Sequence, residues 1–230
     1  MAFKMGSQTS TAIKICGITE VNQAKAIAAF GVDAIGVIGV ERSPRFVSED
    51  QRREIFDALG NCAPILKRVW VIADMNETEV DRGLHGHGVP SIVQLHGDES
   101  PKQCKKLRER HPNIIWWKAI RIRTPLDLSR AHRYEGHVDA LLLDAWSPTE
   151  LGGSGNRLPL EWLKENQFQL PWWLAGGICA EWVPEIFSHI EPSGIDASSR
   201  LESSPGIKDL QQVNALIKRV QEMDNSRPID

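Results

Sequence analysis

The 230-residue sequence predicts a single-domain (β/α)8 barrel, and three observations carry that expectation. Eight short apolar runs, rich in β-branched residues, recur along the chain. Their starts lie roughly 20–30 residues apart, the size of one strand–helix unit. No Pro/Gly/Ser-rich linker or composition shift divides the chain, and its length is near the ~250 residues usual for eight such units. An open doubly wound sheet is the alternative. It normally uses fewer strands, and no G-x-G-x-x-G follows the first run.

The runs, taken in order, are Ala12–Cys16, Ala34–Ile38, Leu66–Ile72, Ser91–Leu95, Ile114–Ala119, Ala140–Asp144, Trp172–Ala175 and Gly194–Asp196. Most gaps between them read as helices. Ser48 with Gln51 and Ser100 with Gln103 have capping-box spacing, the second with Pro101 at the first helical position. Thr124-Pro125 and Ser204-Pro205 are expected to open helices in the same way. Ile207, Leu210, Val213, Ile217 and Val220 fall on one face of the last helix. Trp116-Trp117 and Trp172-Trp173 lie within strands, so alternation sends one ring of each pair into the barrel and the other toward the helices. The expected domain is 12–222, with an N-terminal extension over 1–11 and a C-terminal tail over 223–230.

Composition narrows the function. The chain is 41% hydrophobic and 25% charged, with a net charge of -3. It has neither the basic footprint of a nucleic-acid binder nor a polybasic membrane patch. No apolar run is long enough to span a membrane, and residues 1–11 lack a signal-peptide core. Cys16, Cys62, Cys104 and Cys179 are scattered with no C-x-x-C pair, which excludes the common zinc and thioredoxin patterns and fits a reducing cytoplasm. His85 and His87 form an H-x-H without a third ligand, and read as a solvated turn.

In a (β/α)8 barrel, residues just after the strands converge on one pocket. Here they are Cys16-Gly17, Ser43-Pro44-Arg45, His96-Gly97-Asp98, Asp144, Gly152-Gly153-Ser154-Gly155, Ala175-Gly176-Gly177 and Asp196-Ala197-Ser198-Ser199. Glycines after the seventh strand and hydroxyls after the eighth match the usual barrel phosphate site, where backbone N–H groups approach phosphate oxygens. Gly176-Gly177 also reads as a plain tight turn. Cys16 is either an inert buried thiol or, as a thiolate, a base. Lys14 shares its face, two residues away, and is not expected to assist directly. Asp144, after three leucines, is either a loop brace or an acid whose pKa burial raises. Arg45 is either solvated or paired with a substrate carboxylate.

Taken in order, Lys14-Ile15-Cys16-Gly17-Ile18-Thr19, Gly31-Val32-Asp33-Ala34-Ile35-Gly36, Ser43-Pro44-Arg45-Phe46-Val47, Val93-Gln94-Leu95-His96-Gly97-Asp98-Glu99, Leu142-Leu143-Asp144, Gly152–Gly155, Leu174–Gly177 and Ser204–Asp209 resemble the phosphoribosylanthranilate isomerase family of tryptophan biosynthesis. The resemblance implies an aldose–ketose isomerase that carries out an Amadori rearrangement. Its substrate is the phosphosugar N-(5-phosphoribosyl)anthranilate, and it uses no cofactor and no metal. It maps the general base onto Cys16 and the general acid onto Asp144. Arg45 would hold the anthranilate carboxylate, with His96 and Asp196 also at the substrate. Gly153, Ser154, Gly155, Gly176, Gly177, Ser198 and Ser199 would cradle the phosphate. A monomer or homodimer is expected, with no nucleic acid or membrane partner. Two other readings are a neighbouring phosphosugar-barrel activity and a barrel that only binds a phosphorylated ligand. Arg200 stands where the family has glycine, and a positive φ there would strain it.

Overall fold

The structure is a computed structural model that describes residues 10–145 and 157–226. Eight parallel strands hydrogen-bond in sequence order and close on themselves: β1 (Ala12–Cys16), β2 (Ala34–Ile38), β3 (Lys67–Ile72), β4 (Ile92–Leu95), β5 (Ile115–Ile122), β6 (Ala140–Ala145), β7 (Trp172–Ala175) and β8 (Gly194–Ala197). The expected barrel is therefore the observed one. β8 returns to β1 with Asp196 opposite Lys14 and Ala197 opposite Ile15.

The helices between strands are α1 (Val21–Ala28), α2 (Glu49–Cys62), α3 (Glu77–Gly83), α4 (Pro101–Arg110), α5 (Pro125–Ala131) and α6 (Val183–His189), with α7 (Leu210–Asn225) after β8. Among the described residues, the β6–β7 connection carries only a 3-10 turn, Leu160–Trp162. Both expected capping boxes form. Gln51 donates its backbone N–H to Ser48 Oγ while its side chain accepts from the Ser48 N–H, and Gln103 and Ser100 do the same. Each satisfies backbone donors that a helix N-terminus leaves unpaired.

The chain differs from its sequence pattern after β8. Ser204-Pro205 does not open a helix. A short antiparallel hairpin forms instead, from β9 (Glu202–Ser204) and β10 (Ile207–Lys208). Gly206 at φ +84° makes its turn, a conformation Pro-Gly favours over a helical start. Helix α7 begins later, capped by Asp209, whose carboxylate accepts from the Gln211 and Gln212 N–H groups. Ile207 is thus strand, and the face α7 buries is Val213, Leu216, Ile217 and Val220. The helix continues to Asn225, and Asp224 accepts from the Thr11 N–H at 2.7 Å. Arg200 lies in the 3-10 turn Ser199–Leu201; the one non-glycine residue at positive φ among the described residues is Asp74, at 52°. Arg200 is not at positive φ, so the condition for strain there is not met. No helix among the described residues is long and apolar enough to cross a membrane.

Alternation divides the core in two. Trp116 joins the outer layer, between sheet and helices, with Trp172 packed against it. Trp117 and Trp173 turn inward and pack at 4.6 Å between ring centroids, filling the barrel with Val69, Ile92, Ala140 and Leu142. Gly194 makes room for them, because a Cβ there would come within 2.5 Å of the Trp173 ring. We therefore expect Gly194→Ala to overpack this layer and lower stability by about 1–3 kcal/mol, read by denaturant unfolding. An unchanged midpoint would show that the Trp173 ring moves aside at no cost.

Candidate active site

Above the tryptophan layer the inward face carries Val71, Ala119 and Ala175 beside a set of polar side chains. β1 presents Lys14 and Cys16, β4 presents Gln94 with His96 just beyond its end, β6 presents Asp144 next to its last residue, and β8 presents Asp196. All six are buried. A strand pointing alternate residues inward brings such groups to one mouth without any loop folding over them.

The first cluster joins β1 and β8. Lys14 Nζ donates to Asp196 Oδ2 at 2.7 Å, and Asp196 Oδ1 is buried without a hydrogen-bond partner. Burial works against a charged Lys14, but Asp196 and Cys16 outweigh it and hold Lys14 above the usual lysine value. Burial pushes the Cys16 thiol up, while Lys14 pulls it back and Asp196 opposes that pull. Burial also pushes the Asp196 carboxyl up against the pull of Lys14. Lys14 hydrogen-bonds to Asp196 rather than to the thiol, yet its charge still bears on Cys16 from two residues away on the same strand face. Gly36 on β2 leaves the space: a Cβ there would lie 2.7 Å from Cys16 Sγ and 3.1 Å from Lys14 Cε.

The second cluster lies across the mouth. Gln94 Nε2 donates to His96 Nδ1 at 2.9 Å, which places the proton of a neutral ring on Nε2. His96 Nε2 faces Asp144 Oδ2 at 3.4 Å. That is close enough for charge interaction, yet Nε2 makes no hydrogen bond. Behind it, on the outer face of β5, Lys118 Nζ donates to the carbonyls of Leu95 and Gly97 and to Glu99 Oε2 at 2.7–3.2 Å. Glu99 accepts in turn from the Asp74 and Gly97 N–H groups, and Asp74 Oδ1 from the Asp98 N–H. The loop bearing His96 is tied at both ends.

The third cluster covers the β1–β8 side. Arg45 Nε and Nη2 donate to both Glu202 oxygens at 2.8–3.0 Å. Lys208 Nζ donates to Glu202 Oε1 at 2.6 Å and to Ser198 O and Oγ at 3.2 and 3.3 Å. Ser198 Oγ donates to the Cys16 carbonyl at 3.0 Å. Arg45 is therefore neither solvated nor isolated, since Glu202 already engages it. Gly176 and Gly177 both sit at positive φ, 94° and 66°, which glycine adopts without strain. Ser199 opens the 3-10 turn after β8. Gly153, Ser154 and Gly155 lie outside the described residues.

The sequence reading missed Gln94, Glu202 and Lys208 as site residues. Gln94 is recoverable from alternation, two residues before His96. Glu202 and Lys208 depend on the hairpin, which the helix expectation hid. His85 and His87 are exposed in a turn, as expected. No group of three or more His, Cys, Asp or Glu among the described residues is placed to hold a metal ion. A cavity of about 520 Å3 near Trp172 and Ile190, at the N-terminal side of the strands, shares no residue with this mouth.

A closed parallel barrel with a thiol, carboxylates and an imidazole gathered at the C-terminal ends of its strands has the layout of a (β/α)8-barrel enzyme. The family model for N-(5'-phosphoribosyl)anthranilate (PRA) isomerase matches residues 13–219, and the chain belongs to that family. It is 45% identical over 204 residues to an N-(5'-phosphoribosyl)anthranilate isomerase from Synechococcus elongatus, covering 89% of this chain and 93% of the relative. Among solved structures it resembles phosphoribosyl anthranilate isomerase from Thermotoga maritima, with TM-score 0.83 and 28% identity over 92% of this chain and 99% of that one. A second structure of such an isomerase, in complex with reduced 1-(o-carboxyphenylamino)-1-deoxyribulose 5-phosphate, matches with TM-score 0.76 and 27% identity, covering 92% of this chain and 99% of that one.

Burial alone would raise the Glu202 carboxyl, but Arg45 and Lys208 together bring it below the usual glutamate value. A carboxyl depressed in the folded state contributes stability that is complete above the unfolded pKa and is lost as pH falls through the folded one. We expect stability to fall on acidification below about pH 4.3. Glu202→Gln should flatten that limb and cost about 3–5 kcal/mol at neutral pH, since two cations lose their buried partner. Unfolding curves across pH check both, and an unaltered acid limb would exclude Glu202 as its source.

Proposed function

We propose that the protein is an N-(5-phosphoribosyl)anthranilate isomerase of tryptophan biosynthesis, converting its substrate to 1-(2-carboxyphenylamino)-1-deoxy-D-ribulose 5-phosphate by acid–base catalysis. The family supports the reaction. The observation that carries the residue roles is the placing of buried Cys16 and Asp144 at the ends of β1 and β6, facing one mouth.

In this reading Asp144 donates a proton to the furanose ring oxygen. The C1'–O4' bond breaks as the anthranilate nitrogen lone pair forms a C1'=N double bond. That imine acidifies the C2' hydrogen, and Cys16 takes it as a thiolate. The electron pair left at C2' forms the C1'=C2' bond of an enolamine, which tautomerises to the ketone. No bond from sulfur to carbon is made. His96, directed at Asp144, and Asp196 hold the sugar and its hydroxyls. Arg45 receives the anthranilate carboxylate, shared with or taken from Glu202. Gly176, Gly177, Ser198 and Ser199, with Gly153, Ser154 and Gly155, bind the phosphate through backbone N–H and hydroxyl groups. All these groups come from one chain, so each barrel carries its own site, alone or in a homodimer. The setting is the cytoplasm, where a thiol base stays reduced.

Loss of substrate fluorescence on adding enzyme tests the activity, and no decay with fresh substrate sinks the reading. We expect Cys16→Ala and Asp144→Ala each to lower kcat by ~10² or more with the fold intact, because each removes a proton-transfer group. Near-normal turnover in either variant would remove that residue from its role. Arg45→Ala should act mainly on KM; an unchanged KM would place the carboxylate elsewhere.

A further inference from the structure

Lys14 is completely buried, and no step of the proposed reaction uses it. Its Nζ bonds to Asp196 Oδ2, the residue opposite it across the β1–β8 pairing. A lysine–aspartate pair serving only barrel closure needs no relation to a thiol. This one lies on the same inward face as Cys16, and the gap over Gly36 is bordered by both Cys16 Sγ and Lys14 Cε. The base on the proposed route must be a thiolate, and the buried site disfavours that form. Lys14 is the cation placed to offset this.

We infer that Lys14 is a positioning residue for the base: held by Asp196, its ammonium lies against Cys16 and stabilises the thiolate. The inference rests on the reading of Cys16 as base. The charged groups that bear on the thiol are Lys14 on its own strand, Asp196 from β8 and Lys208 from β10. Asp144 from β6 and His96 from β4 act on Asp196. Lys208 also favours the thiolate, but its hydrogen bonds go to Glu202 and Ser198. The two partners of the pair should therefore have opposite effects. Removing the Lys14 charge disfavours the thiolate, and removing the Asp196 charge favours it.

The test uses the full chain. Alkylation of Cys16 by iodoacetamide is followed against pH by mass analysis of its peptide, and the acid limb of kcat/KM is measured in parallel. Lys14→Met should move both midpoints up by about one to three pH units, the range for a close opposite charge. At pH 7 that is a roughly 10- to 10³-fold loss in kcat/KM. Asp196→Asn should move the alkylation midpoint down. A folded Lys14→Met protein with an unchanged alkylation midpoint overturns the inference. Should Lys14→Met not fold, Lys14→Gln is read in the same way, and an unchanged alkylation midpoint in it overturns the inference. The alkylation arm needs no turnover, so it judges Lys14 even where full activity of Cys16→Ala has removed Cys16 as the base.

Discussion

The structure depends on a closure made between its first and last strands. Barrels have no edge only if β8 finds β1, and here the pairing carries a buried charge pair, Lys14 with Asp196, directly opposite in register. A one-residue slip of β8 would turn its inward side chains outward and part Asp196 from Lys14, leaving each charge buried without its partner. The pair therefore specifies register where the chain must join ends nearly 200 residues apart. Ser198 bonding to the Cys16 carbonyl repeats the tie one layer higher.

From that seam the barrel divides along its axis. Its lower interior is apolar, packed by Trp117 and Trp173 over Gly194. To Val71, Ala119 and Ala175 its upper interior adds six polar side chains, all of them still buried. Such groups are costly unless partnered. Most are, and the exceptions are informative: Asp196 Oδ1, His96 Nε2 and Gln94 Oε1 are buried without hydrogen bonds. All three belong to residues that point into the barrel at or just below its mouth.

The strands were legible because period-2 apolar runs with β-branched residues have few other solutions, and the capping boxes are local chemistry. The barrel followed from counting them. Cys16, Asp144, Asp196 and His96 were legible as strand ends, and strand ends in this fold share a rim. What was not legible came from contacts between distant segments. Ser204-Pro205 reads locally as a helix start, but Gly206 turns the chain into a hairpin, and only the hairpin brings Glu202 and Lys208 to Arg45. Likewise alternation puts Lys14 on the face of Cys16, yet the missing side chain of Gly36 on the next strand is what leaves room for both.

The ties around the β4 loop have one more consequence. Lys118, Glu99 and Asp74 bind the chain on both sides of His96 through backbone groups, and Asp74 is held at φ 52° while a Cβ at Gly97 would come within 2.4 Å of its carboxylate. A segment cross-linked in this way loses its conformational entropy during folding rather than when a ligand arrives. The imidazole is thus set before substrate enters. Whatever ordering of the rim a ligand's entry costs, the β3–β4 arc has already met its share in folding.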